Sequence, residues 1–172
     1  RGPRPVRTSP GAAMAPRGFV LTVEGTDDAG AHIRGSHAIP AGDVDALHAA
    51  LGRYATATPR ALVMVSIKPD LPSTEDNESL NVMQVYGRAD LAGRAQLYAL
   101  PRDGDPTYPG WLALDPTWRA TRSDHSVLVY SGQGTDAPRS QCVPRAQVLA
   151  ALEHYLRTGD MRWDGLAWVN AA

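Results

Sequence analysis

The chain has one cysteine, Cys142, among its 172 residues. A single cysteine excludes the intrachain disulfide frameworks of small secreted domains and gives no sign of an oxidising compartment. The sequence also lacks any apolar run of about 18 residues, which excludes a transmembrane helix. Its N-terminal positive charges are not followed by an apolar segment of the signal-peptide type. Together these absences predict a cytoplasmic protein.

Lysine is almost absent as well, since Lys68 stands against 16 arginines. This bias, together with the many alanines, is typical of a GC-rich, actinobacterial-like genome. The formal net charge is −1, but residues 1–18 carry four arginines and no acid, which leaves 13 basic and 18 acidic residues, or −5, for the rest. A mildly acidic body argues against nucleic-acid binding through a basic surface and is compatible with a basic partner protein.

The N-terminal stretch differs in composition from the rest of the chain. Residues 1–18 contain four prolines and little that can be buried, so they predict a disordered basic arm. Residues 19–172 are long enough for a single domain with its own core. Because the chain begins with an arginine, two interpretations stay open: a fragment of a longer protein, or an upstream extension of a protein whose start is Met14.

The order of the predicted elements indicates the fold class. Helices are predicted over residues 43–54 and from Pro144, suited to a first helical position, to Gly159, suited to a left-handed cap. Apolar and alternating runs predict strands at 19–23, 31–34, 61–67, 79–86, 95–100, 111–114 and 125–130. We therefore predict an α+β domain, an antiparallel sheet of about five to six strands with two main helices packed on one face.

Histidine and cysteine form no recognisable catalytic or metal-binding constellation. Cys142 lies directly before a proline-started helix and matches no local signature of a thiol–histidine enzyme. His32 and His37 flank a Gly-Ser turn at a spacing that fits no common metal-ligand pattern. The glycine-bearing turns match no phosphate-binding motif. We therefore predict that the protein is not an enzyme and has no catalytic residue, metal or cofactor.

Acidic residues concentrate in two predicted loops, residues 70–78 and 101–110, and aromatic residues follow in the second loop. Clustered charges of one sign steer an oppositely charged partner, and Tyr and Trp are common binding hot spots. The alternatives are solvated loops for the acids and a core position for the tryptophan. The candidate binding residues are Asp70, Glu75, Asp76, Glu78, Asp103, Asp105, Tyr108 and Trp111.

The C-terminal part of the chain carries the most informative pattern: Val143-Pro, then Ala-Leu-Glu-His-Tyr-Leu-Arg-Thr-Gly159, then Leu-Ala-Trp168. Together with the early helix from Asp43, Ser79-Leu-Asn-Val and Ala95-Gln-Leu-Tyr, it resembles the first large family of bacterial immunity proteins, which neutralise polymorphic toxins. The resemblance covers about residues 38–170. The chain departs from the pattern at Met161-Arg-Trp-Asp-Gly, where the family often carries a basic residue followed by proline.

The resemblance implies a cytoplasmic antitoxin that binds a cognate toxin domain, often a nucleic-acid deaminase, and blocks it by covering its cleft. It implies no cofactor and no nucleic-acid or membrane partner, and it leaves the oligomeric state open. No site residue is carried over from the family, because variable surfaces determine the choice of toxin.

Two other functions fit the residues. One is a small-molecule-binding domain or enzyme with a pocket on a curved sheet, lined by Tyr86, Tyr98 and Trp111. The other is a scaffolding domain of a larger secretion-linked protein. A toxin gene next to this one favours the immunity protein, whereas a metabolic operon favours the enzyme.

Overall fold

The computed structural model describes residues 18–71, 81–100, 110–116, 127–129 and 135–171. The predicted N-terminal arm therefore lies outside the described residues, except for Gly18, which begins the first strand. The elements in chain order are β1 (Gly18–Thr26), β2 (His32–Pro40), α1 (Val44–Ala57), β3 (Leu62–Pro69), β4 (Val82–Arg88), β5 (Arg94–Leu100), β6 (Trp111–Leu114), β7 (Val127–Val129), β8 (Thr135–Ala137), a 3-10 turn (Arg139–Gln141), β9 (Val143–Pro144), α2 (Arg145–Thr158) and β10 (Ala167–Asn170).

The strands confirm the predicted α+β class. Seven of them follow the order β10-β6-β5-β4-β3-β1-β2, and β9 pairs with β5 to complete an eight-stranded sheet, while β7 and β8 pair separately. Every pairing is antiparallel, including the predicted β4–β5 hairpin. The sheet exceeds the predicted five to six strands because β9 and β10 have only two and four residues, too few to produce an alternating pattern.

The β1–β2 hairpin forms one edge of the sheet, with β2 as the outermost strand. Its turn is closed by the Asp27 carboxylate, which accepts from the backbone N–H groups of Ala29 and Ala31 at 2.9 and 2.7 Å. The register then runs unbroken over nine residue pairs, from Thr26 beside His32 to Gly18 beside Pro40. β2 is longer than the predicted strand at 31–34, because two of its inward-facing residues, Gly35 and His37, are not apolar and interrupt the apolar alternation.

Both helices begin and end at residues whose chemistry suits the position. The Asp43 carboxylate caps α1 by accepting from the N–H of Ala46 at 3.0 Å. The expectation for Pro144 was one residue wrong: with ψ of 154° it is the cap before α2, and Arg145 is the first helical residue. The predicted left-handed cap is confirmed, since Gly159 has φ of 75°.

The core lies between the sheet and the two helices, as the single apolar cluster that they share indicates. Alternate residues of β1, such as Leu21 and Val23, point into it and are almost completely buried. Tyr155 of α2 is 1% exposed. Its ring meets the edge of Phe19 at 4.9 Å between centroids, and its hydroxyl donates to the carbonyl of Asn81. This one side chain therefore fixes α2 against β1 and against the start of β4.

A buried ion pair on β5 holds together the segments around β6 and β9. The Arg94 guanidinium on β5 donates to the Asp115 carboxylate, just after β6, at 2.7 Å and to the carbonyl of Cys142 at 3.0 Å. The side chain of Asp115 is only 1% exposed and that of Arg94 14%. Since a buried charge is stable only when it is paired, this contact ties three separate chain segments together.

Replacing one member of this pair should destabilise the protein strongly. We expect Asp115→Ala to lower the free energy of unfolding by about 3–5 kcal/mol, because the Arg94 guanidinium is left buried without its counter-charge. The double variant Arg94→Met with Asp115→Leu should cost less than the single change. Urea unfolding monitored by tryptophan fluorescence measures both, and a single variant within about 1 kcal/mol of wild type would contradict the assignment.

Candidate functional site

Of the candidate acidic residues, the described part of the chain contains only Asp70. Its side chain is exposed, and its backbone N–H donates to the carbonyl of Gly18 at 2.9 Å. This hydrogen bond holds the start of the first acidic loop against β1. The other predicted acids and the loop tyrosine lie outside the described residues: Glu75, Asp76, Glu78, Asp103, Asp105 and Tyr108.

The topology brings the attachment points of both acidic loops together. The first loop connects β3 to β4, and the second connects β5 to β6. The register pairs the end of β3 with the start of β4, the start of β4 with the end of β5, and the end of β5 with the start of β6. We call this end of the sheet the loop end. Its described residues include Gly18, Pro40, Asp70, Val82, Leu100 and Trp111.

Trp111 lies at the loop end but belongs largely to the core. It is half-buried and packs against the main apolar cluster, as do Trp163 and Trp168. The Arg162 guanidinium covers its ring at 4.4 Å from the ring centroid, a cation–π contact. The indole N–H of Trp168 donates to the carbonyl of Trp163 at 2.9 Å. Sequence reasoning missed Arg162, whose only signal is its place between apolar residues in the C-terminal tail.

The three aromatic residues proposed for a small-molecule pocket do not converge. Tyr86 and Tyr98 share one face of the sheet and meet edge to face at 5.7 Å between centroids. Tyr98 pairs with Leu112, whereas Trp111 pairs with Ala99, so Trp111 points to the opposite, helix-covered face. The sheet itself therefore separates Trp111 from the two tyrosines.

Two surface grooves are lined by described residues on either side of α1, and neither of these two assembles a reactive group with a base. The larger, about 290 Å³, lies between the β1–β2 turn and the α1–β3 connection and includes Asp27, Asp28 and Arg60. The smaller, about 50 Å³, lies between the two helices beside Leu91. Oδ1 of Asp27 is engaged in its own turn, where it accepts from the N–H groups of Ala29 and Ala31.

Cys142 is completely buried, and its environment suppresses ionisation. Burial raises the pKa of its thiol from 9.0 to about 11, although the positive charges of Arg94 and Arg139 partly oppose the rise. A thiolate nucleophile requires the reverse, a lowered pKa and access to substrate. Cys142 therefore has the properties of a small side chain of the core.

The contacts of the four described histidines are with residues other than Cys142. These histidines are His37, bonded to the Tyr54 hydroxyl at 2.6 Å; His48, bonded to Glu153 at 2.7 Å; His32, 3.9 Å from Glu24; and His154, 3.8 Å from Asp160. Within the described ranges, no three His, Cys, Asp or Glu side chains are grouped to hold a metal ion. No helix in the same part of the chain combines the length and apolarity needed to cross a membrane.

The buried thiol predicts a pH dependence of stability above neutrality. Because the pKa of Cys142 is higher in the folded state, its contribution is fully present below about pH 9 and is lost as pH rises towards 11. We expect the free energy of unfolding of wild type to fall more steeply over this window than that of Cys142→Ala. Parallel pH-dependent urea titrations give the comparison, and equal slopes would contradict the buried thiol.

Comparison with protein families and structures adds one finding. The family model described as Immunity protein Imm1 matches residues 35–170. The match begins within β2, contains both helices and ends at the last residue of β10. No curated protein and no solved structure matches the chain.

Proposed function

The chain belongs to the Imm1 family of immunity proteins, and from that premise we propose that it binds and blocks a cognate toxin that deaminates nucleic-acid bases. It acts in the cytoplasm of the cell that makes the toxin. Its loop end, with the acidic residues of both loops, provides the contact surface. The protein acts by occupying the toxin and carries out no reaction of its own.

The common attachment of the two acidic loops is the observation that carries this proposal. Four acids in residues 70–78 and two in residues 101–110 belong to loops that leave the same end of the sheet. A nucleic-acid-modifying enzyme admits a polyanion, so its cleft is lined by positive charge. Clustered carboxylates are complementary to such a cleft and accelerate encounter with it.

Occlusion is sufficient for inhibition of a deaminase. The enzyme needs a base flipped into its pocket beside a metal-activated water. A protein domain seated over the entrance excludes the substrate, and carboxylates at the loop end take the positions of substrate phosphates. The burial and raised pKa of Cys142 support a binding role, since the thiol is neither accessible nor ionised near neutral pH.

The proposal is tested by co-expression with the toxin domain encoded beside this gene. Host survival together with a co-purified complex supports immunity, and failure of both would overturn it. The deaminase assignment has a separate readout: cells that express the toxin alone should accumulate transition mutations in their DNA or edited bases in their RNA. Growth arrest without either change would overturn the deaminase assignment and leave the antitoxin role intact.

Removing the charge of the first acidic loop should slow association with the toxin. We expect the variant with Asp70, Glu75, Asp76 and Glu78 all changed to Ser to associate at least about tenfold more slowly at low salt, because electrostatic steering is lost. Its melting temperature should stay close to that of wild type. Stopped-flow or surface-plasmon kinetics at several salt concentrations measure the effect.

A matched control removes four exposed acids from other parts of the surface: Asp28, Asp45, Asp136 and Asp164 to Ser. This variant loses the same formal charge and should associate at nearly the wild-type rate. Equal slowing in both variants would mean that net charge, and not the loop, controls the encounter.

A further inference from the structure

One edge of the sheet is formed by a long strand, β2, whose outer side has no partner among the described residues. β2 has nine residues, whereas β10 at the other edge has four. Exposed edges are normally protected by shortness, charged side chains, bulges, internal prolines or a covering segment. The β2 register is continuous, and its only proline is the last residue, Pro40.

The hydrogen-bond pattern identifies which backbone groups are available. The N–H of Asp27 donates to the carbonyl of Ala31 in the β1–β2 turn, and the N–H of Asp70 donates to that of Gly18. Since bonded pairs alternate along an antiparallel ladder, odd-numbered β1 residues bond to β2 and even-numbered ones to β3. The β2 residues whose N–H groups face outward are therefore His32, Arg34, Ser36 and Ala38.

The face of β2 that points towards α1 is held in place by side-chain contacts. His37 and the Tyr54 hydroxyl of α1 are hydrogen-bonded at 2.6 Å, with their rings edge to face at 5.5 Å between centroids. A Cβ at Gly35 would overlap that hydroxyl, so only glycine permits this close approach of α1 to the strand. β2 therefore presents a fixed, extended template, and an incoming strand meets little ordering cost on this side of the interface.

The charges on β2 indicate what kind of strand fits it. Its ionisable residues are His32, Arg34 and His37, and it contains no acid. Glu24, beside Arg34 on β1, is one strand further from an incoming chain. Directly opposed like charges destabilise a strand pair, while opposite charges stabilise it. A second copy of β2 would bring basic residues against basic residues, whereas an acidic strand is complementary.

We propose that the outer edge of β2 pairs with an extended segment of the toxin that carries an acidic residue opposite Arg34. The inference rests on the proposed function, because the toxin is the partner that it invokes. The edge is continuous with the loop end, since Pro40 pairs with Gly18, whose carbonyl accepts from Asp70. One toxin can therefore contact the acidic loops and the basic edge together.

Amide hydrogen exchange of the full chain, resolved by residue, tests the pairing directly. In the free protein the N–H groups of Arg34, Ser36 and Ala38 should exchange rapidly, whereas those of Gly35 and His37 are protected by β1. In the purified complex with the adjacently encoded toxin domain, the first three should become protected as well. Protection already present in the free protein would mean that the chain itself or a second copy covers the edge, and would overturn the proposal.

Substitutions at Ser36 separate the backbone donor from the side chain. Ser36→Pro removes one outward N–H while sparing the bonds to β1, and proline is tolerated at such edge positions. We expect it to weaken toxin binding by about tenfold or more. Ser36→Ala keeps the N–H and should bind within about threefold of wild type. Arg34→Glu, which leaves the backbone intact, should weaken binding to wild-type toxin as well.

The outcomes distinguish this inference from the proposed function. A stable complex in which β2 amides stay unprotected and Ser36→Pro binds like Ser36→Ala would overturn the strand pairing alone. Absence of any rescue or complex with the toxin would overturn the antitoxin role and the pairing with it. Thermal unfolding of each variant checks that a variant that no longer binds the toxin is still folded.

Discussion

Burial of one face of an antiparallel sheet beneath two helices is the constraint on which the rest of the structure depends. Tyr155 is at its centre, because it places α2 against Phe19 on β1 and against the chain entering β4. Strand alternation then determines every other position. Once Leu21 and Val23 face the helices, their neighbours face the other side of the sheet, and the connections must leave at its two ends.

That arrangement supports the proposal that the surface, rather than an internal site, is the functional part of the molecule. The interior is filled by apolar side chains, the buried thiol of Cys142 is held neutral, and the buried charges of Arg94 and Asp115 are engaged with each other. Among the described residues, the loop end and the backbone edge of β2 remain available to a partner. A rigid frame that presents loops and an edge strand is suited to an antitoxin, whose specificity depends on contacts and not on chemistry.

The features that could be predicted from the sequence are those that depend on a few neighbouring residues. The Gly159 cap and the helical periodicity are encoded within a few residues, and the family resemblance, carried largely by the same segment, agrees with the match over residues 35–170. Sequence reasoning missed features created by distant pairing. The Arg94–Asp115 contact joins residues far apart in sequence, and the opposite facing of Tyr98 and Trp111 depends on register. The candidate acids were visible as two clusters, but only strand order brings their attachments to one end.

We propose that this protein neutralises a toxin by stoichiometric binding. Titrating a fixed concentration of purified toxin domain with the intact protein, and measuring residual toxin activity, tests it most directly. We predict a linear fall to zero at a fixed molar ratio, with full activity and unchanged mass of the toxin recovered after separation under denaturing conditions and refolding. Inactivation by a small fraction of an equivalent, or a toxin of altered mass, would contradict the account and indicate catalysis.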